Sequence, residues 1–154
     1  MKNFLRVTIS SVEYGAGELT ACAEANSFCG QSSAWFHLQE IDSFASAIEA
    51  YPLPSNDRPK LVGGYWKKGQ QGEVEQEHLS IAIYPIGLLG KVGVHVRITS
   101  PFSDDRPESR YAAEMELQTT YQQLAGFAKE LHRLAAEETS EASLHSGTER
   151  DDPN

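Results

Sequence analysis

The sequence has only two cysteines, Cys22 and Cys29, and no C-x-x-C spacing. A disulfide framework or a thiolate metal site needs more thiols, and closer ones. Both cysteines are read as free and partly buried. Long apolar runs are also missing. None approaches the roughly 18 to 20 residues that span a bilayer as a helix, so no membrane contact is expected. Met1-Lys-Asn-Phe-Leu-Arg-Val-Thr leads straight into alternating polarity without an apolar signal segment. A cytoplasmic location is expected. Basic residues are the scarcer sign, 13 Lys and Arg against 22 Asp and Glu, for a net charge of -9. Phosphate backbones are bound by clustered Lys and Arg, so nucleic-acid binding is not expected. The acidity is uneven. Glu137, Glu138, Glu141, Glu149, Asp151 and Asp152 face only Arg150 over residues 137–154, so that stretch carries -5 of the -9.

Catalytic motifs are lacking too. There is no G-x-S-x-G, H-E-x-x-H or Walker sequence. His37, His78, His95, His132 and His145 are scattered, with no pair four residues apart. Gly15-Ala-Gly17 lacks the third glycine of a dinucleotide fingerprint and precedes a strand. Glu75 and Glu77, and Glu114 and Glu116, alternate as carboxylates do on a solvated strand face, whereas acid–base chemistry needs one carboxyl in an apolar pocket. No catalytic residue, metal ligand or cofactor is assigned, and an enzyme is not expected.

What is present is alternation. Leu79, Ile81 and Ile83 occupy every second position, as do Val92, Val94, Val96 and Ile98. A period of two marks half-buried strands. Pairing Leu79 with Ile98 also sets Ile81 against Val96 and Ile83 against Val94, which makes one face wholly aliphatic. A slip of one residue drives Arg97 or His95 into the core, so the register is well specified.

The remaining elements follow in order. Strands are expected over 5–10, 18–28 and 34–38. Ala21, Cys22, Ala23 and Ala25 in the second are small enough to admit a close helix. Ile41, Phe44, Ala45 and Ile48 give a helix over 39–51 one apolar stripe, and Pro52 stops it. A strand over 60–66 carries Gly63-Gly64, the mark of a bulge or of a close backbone approach. Residues 67–77 read as a polar turn, and 101–109 as an acidic, proline-bracketed loop. A strand over 111–119 leads into a helix that Thr120 and Gln123 cap. Leu124, Phe127, Ala128, Leu131 and Leu134 form its stripe, and Gly126 could allow close contact with a sheet. No internal repeat is evident.

The expected fold class is α+β, with the order β-β-β-α-β-β-β-β-α. One antiparallel sheet of about six to seven strands carries two amphipathic helices on one face. Residues 1–137 form a single domain, and 138–154 a disordered acidic tail.

Two features are left over from packing. The hairpin tip Pro85-Ile-Gly-Leu-Leu-Gly90 is apolar where tips are usually polar. Ile86, Leu88 and Leu89 either seal the core or meet a partner. The short aromatic strands Trp35-Phe36-His37 and Tyr65-Trp66 put neighbouring rings on opposite faces, so some face outward, as interface anchors do. Trp35, Tyr65, Trp66, Ile86, Leu88 and Leu89 are therefore the candidate partner contacts.

The set Trp35-Phe36-His37-Leu38, Phe44-Ala45 with Ile48, Tyr65-Trp66, Gly90-x-Val92-x-Val94-x-Val96 and Glu114-x-Glu116-Leu117-x-Thr119 resembles a group of small bacterial α+β proteins. These are similar in layout to the WapI-type immunity proteins. The likeness covers most of residues 4–136 through packing motifs, and the acidic tail departs from it. It implies a protein that neutralises a bacterial toxin by binding it. The expected partner is another protein, such as a toxin, or a second copy of the chain. The alternatives are a structural or regulatory homodimeric domain and a small-molecule-binding domain.

Overall fold

The structure is a computed structural model and describes residues 3–68 and 70–146. The chain runs β1 (Phe4–Glu13), β2 (Ala16–Ala25), β3 (Phe28–His37), α1 (Leu38–Ala47), β4 (Lys60–Lys67), β5 (Gln70–Ile86), β6 (Lys91–Thr99), β7 (Ala112–Thr120), α2 (Tyr121–Ala135) and β8 (Glu141–His145). The class is α+β and every strand pair is antiparallel, but there are two sheets of four strands. One has the order β3-β2-β1-β8, the other β4-β5-β6-β7. The expectation of one sheet of six or seven strands is corrected here. Each helix leaves an edge strand of one sheet, and the chain then enters the other sheet as an edge strand. The helices therefore pack on each other and touch strands of both sheets. They do not cover one face of a single sheet.

The central hairpin has the register that alternation demands: Leu79 opposite Ile98, Ile81 opposite Val96, Ile83 opposite Val94. Its aliphatic face joins Leu5, Val7 and Leu19 of the first sheet in one core. The sheets approach closely along β3. The Ser32 hydroxyl donates to the Thr99 carbonyl at 2.8 Å. A Cβ on Gly30 would lie 2.9 Å from that of Ala113, and one on Gly63 2.5 Å from the Phe36 ring. Ladder register also shifts between Gly63 and Gly64, so the paired glycines mark both a bulge and a close approach. β2, which carries the alanines Ala21, Ala23 and Ala25, packs against β7 of the second sheet. Their small size lets the second sheet come near.

The topology also repeats, although the sequence shows no repeat. Three meandering strands, a helix and a departing strand occur twice. β4 leaves the first unit to pair with β5, and β8 leaves the second to pair with β1. Counted from the N-caps His37 and Thr120, the same four positions are buried. They are Ile41, Phe44, Ala45 and Ile48 after one cap, and Leu124, Phe127, Ala128 and Leu131 after the other. The caps differ in chemistry. Glu40 accepts the backbone N–H of His37 at 2.8 Å, and the Thr120 hydroxyl accepts that of Gln123 at 3.2 Å. A Cβ on Gly126 would meet nothing within 4 Å, so this glycine makes no close contact with a sheet.

The expectation of a disordered tail from residue 138 is corrected for its first part. Glu141–His145 is a strand on β1, with Leu144 opposite Leu5 and Ala142 opposite Val7. Ala142 and Leu144 are fully buried. The Ser143 N–H donates to Glu130 of α2 at 2.8 Å. Two apolar side chains at alternate positions suffice for an edge strand, and the surrounding Glu and Ser mask them in composition. Residues 147–154 lie outside the described residues. Leu144→Ala should lower the unfolding free energy by about 2–5 kcal/mol, the usual cost of a buried leucine. Urea denaturation measures it, and a change below ~0.5 kcal/mol would place this strand outside the core.

Candidate functional site

The six candidate contacts fall into two separate groups. Trp35, on the outer face of β3, is 51% exposed, and Tyr65 of β4 is 56% exposed. Trp66 is half-buried, with its ring 6.3 Å from that of His37. The hairpin tip lies at the other end of β5. Tyr65 is opposite Gln76 and Lys91 opposite Ile86, so the two groups are roughly 30 Å apart at about 3.3 Å per residue. Gly87 and Gly90, both at positive φ, bracket the tip turn. Ile86 is half-buried, while Leu88 and Leu89 are 100% and 94% exposed. These two leucines do not fold back over the core. The tip shares its end of the sheet with the start of α2, where Tyr51 meets Tyr121 edge-on at 4.8 Å.

The outer face of β5, β6 and β7 is a polar ladder. His95 meets Glu114 at 2.8 Å and Arg97 meets Glu77 at 3.2 Å. The buried Tyr84 hydroxyl donates to Glu116 at 2.5 Å, and the Arg58 guanidinium lies 4.1 Å from the Tyr84 ring centre. Burial, and then the Glu116 carboxylate, push the phenol well above its ordinary range. Tyr84 therefore stays a donor, and the ladder is a set of matched cross-strand pairs.

The most organised constellation was missed by sequence reasoning. It starts from His78, which is 2% exposed. Burial lowers its pKa, so the ring is neutral at pH 7 and its Nε2–H donates to the Gln76 amide oxygen at 2.6 Å. The same oxygen accepts the Phe102 N–H at 3.1 Å, and the Gln76 amide donates to the Phe102 carbonyl at 3.0 Å. Tyr65 packs edge-on against His78 at 4.5 Å. The Phe102 ring in turn supports Arg110, whose guanidinium lies 3.8 Å from the ring centre. Residues 67–77 read as a turn and 101–109 as an acidic loop, and no spacing rule links Gln76 to Phe102. The bulged β4–β5 ladder does so by carrying β5 back to Gln70.

Arg110 stands at a hollow of about 400 Å³ on the seam between the sheets. Gly30, Ile98 and Ala113 line its apolar part. No nucleophile–base pair converges there. Among the described residues no group of three His, Cys, Asp or Glu could hold a metal ion, and no helix is long and apolar enough to cross a membrane. Both cysteines are free, Cys22 half-buried and Cys29 exposed. Comparison with protein-family models, with curated proteins and with solved structures returns no match.

A second histidine ties the helices together. His132 of α2 meets Asp42 of α1 at 2.6 Å and Glu49 at 3.4 Å. The Asp42 hydrogen bond chiefly raises its pKa, against a smaller opposing effect of burial. The two shifts act in opposite senses on stability. His132 binds its proton more tightly when folded. Its contribution is complete below pH 6.5 and lost as pH rises through the raised folded value. His78 binds its proton less tightly when folded. Its contribution is complete above pH 6.5 and lost as pH falls through the lowered value. Thermal unfolding across pH 5–8.5 should therefore show the decline above 6.5 flattened in His132→Gln, with the decline below 6.5 retained. Parallel curves for the variant and the parent would remove His132 from this account.

Proposed function

We propose that the chain is a protein-binding domain of the immunity type, whose partner is a bacterial toxin that it neutralises by occlusion. The observation that carries this reading is the pair Leu88 and Leu89, almost fully exposed at the end of a hairpin whose arms are locked into the core. Burying one leucine is worth about 1.5–3 kcal/mol, and the isolated fold gains none of that from either side chain. A stiff support also lowers the cost of ordering a contact on binding. Residues before 137 carry only -4 of the net charge of -9, which favours a basic partner weakly through electrostatic steering, and the resemblance in layout to immunity proteins supports the same reading.

The Leu88→Ser, Leu89→Ser double variant separates the cases. Its unfolding free energy should stay within about 0.5 kcal/mol of the parent, as for exposed positions away from structural features. Co-expressed with a toxin-like product of a neighbouring gene, the parent should co-purify with it and restore growth, and the variant should do neither. Equal protection by both chains would overturn the reading. So would sedimentation showing that the parent self-associates through the tip and the variant does not, because the tip would then serve a homodimer.

A further inference from the structure

The seam hollow is independent of the hairpin tip, and its lining has a consistent chemistry. Gly30, Ile98 and Ala113 give it an apolar wall where the sheets come together. Around this stand Arg110, Ser100, Cys29, Gln31, Ala112 and Tyr111, which is 72% exposed. No carboxylate lines the hollow, although the chain has 22 acids. Arg106, on the same loop, pairs with Glu108 at 3.6 Å. Arg110 pairs with no carboxylate among the described residues, and neither Gln31 nor Ser100 uses its side chain in a hydrogen bond there.

Arg110 is also held in place. Its guanidinium rests on Phe102, Phe102 is fixed through its backbone by Gln76, and Gln76 is fixed by the buried His78. The Ser100 N–H donates to the Tyr111 carbonyl at 2.9 Å and closes the base of the loop. A guanidinium already stacked and oriented loses little freedom when it takes a planar oxyanion through two parallel N–H donors. An apolar wall with a few polar groups converging on it is the usual form of a small-molecule site.

We propose that the hollow binds a small organic anion. Arg110 takes its carboxylate or phosphate, Ser100 supplies a further hydrogen bond, and a flat apolar part lies on Ile98 and Ala113 beside Tyr111. The probes are benzoate and phenyl phosphate, with benzyl alcohol as the neutral counterpart. Each is titrated into the full chain and followed by the amide resonances of Gly30, Ala112 and Ala113 and by the Arg110 Nε–H. Saturable shifts are expected with at least one anion, and the tighter anion identifies the oxyanion. Benzyl alcohol should bind about tenfold more weakly or not at all, as loss of a charge-assisted hydrogen bond implies.

Arg110→Met should weaken the anion by about tenfold or more, and Arg97→Met, on the polar ladder, should leave it unchanged. Arg110 is exposed, so thermal unfolding should show Arg110→Met as folded as the parent. Arg110→Lys keeps the charge without the fork and should bind more weakly than the parent. The proposal is overturned if neither anion saturates, if benzyl alcohol matches them, or if Arg110→Met binds as the parent does. Loss of the tip's function in the Leu88→Ser, Leu89→Ser variant has no bearing on these outcomes.

Discussion

The structure depends on an exchange of strands between two halves of one chain. β4 follows the first helix and completes the sheet of the second half. β8 follows the second helix and completes the sheet of the first. Neither three-stranded meander has its full sheet without the other half. The exchange is held by backbone ladders, Leu61 opposite Ile81 in one and Leu144 opposite Leu5 in the other. All four of these side chains lie in the common core. Stability is shared in consequence. The helices that carry the chain across between sheets pack on each other, and His132 bridges Asp42 and Glu49 at their exposed side.

This arrangement explains where the unused surfaces lie. At one end of the second sheet the β5–β6 hairpin runs past its neighbours and presents Leu88 and Leu89. Toward the other, β5 extends to Gln70 and the connection between β6 and β7 must pack beside it. The buried His78–Gln76 pair fixes that connection by both backbone groups of Phe102. The seam hollow forms where this fixed loop meets the start of β3. Its apolar wall follows from the close packing of Gly30 on Ala113, and its cation from the support of Arg110 on Phe102. The organic anion proposed for this hollow and the protein partner proposed for the tip thus occupy opposite consequences of one topology.

Much of the local structure was legible in the sequence. The central hairpin is readable to the residue because its two faces differ sharply, Val94 and Val96 on one and His95 and Arg97 on the other. The N-cap at Thr120, both helical stripes and the bulge at Gly63-Gly64 follow from similarly local rules. The division into two sheets does not. Alternation reports that a strand has a buried face, and it is silent on which sheet that face meets. β8 escaped because Ala142 and Leu144 are the only apolar residues in a five-residue strand set among Glu and Ser. The apolar tip could be found because it breaks a compositional rule. The seam could not, because Gln76, Phe102 and Arg110 are ordinary residues whose roles arise only after β5 and the following loop are brought together.

Native-state hydrogen exchange is the most direct measurement of the strand exchange itself. If β8 closes the first sheet as part of a shared core, the inward ladder amides of β1 and β8 should exchange only through global opening. Their opening free energy should match that of the β4–β5 ladder, because sub-global units are recognised by lower values. Rapid exchange of β8 and of its partners on β1, with the β4–β5 amides still protected at the global value, would contradict the account. The first sheet would then hold without its exchanged strand.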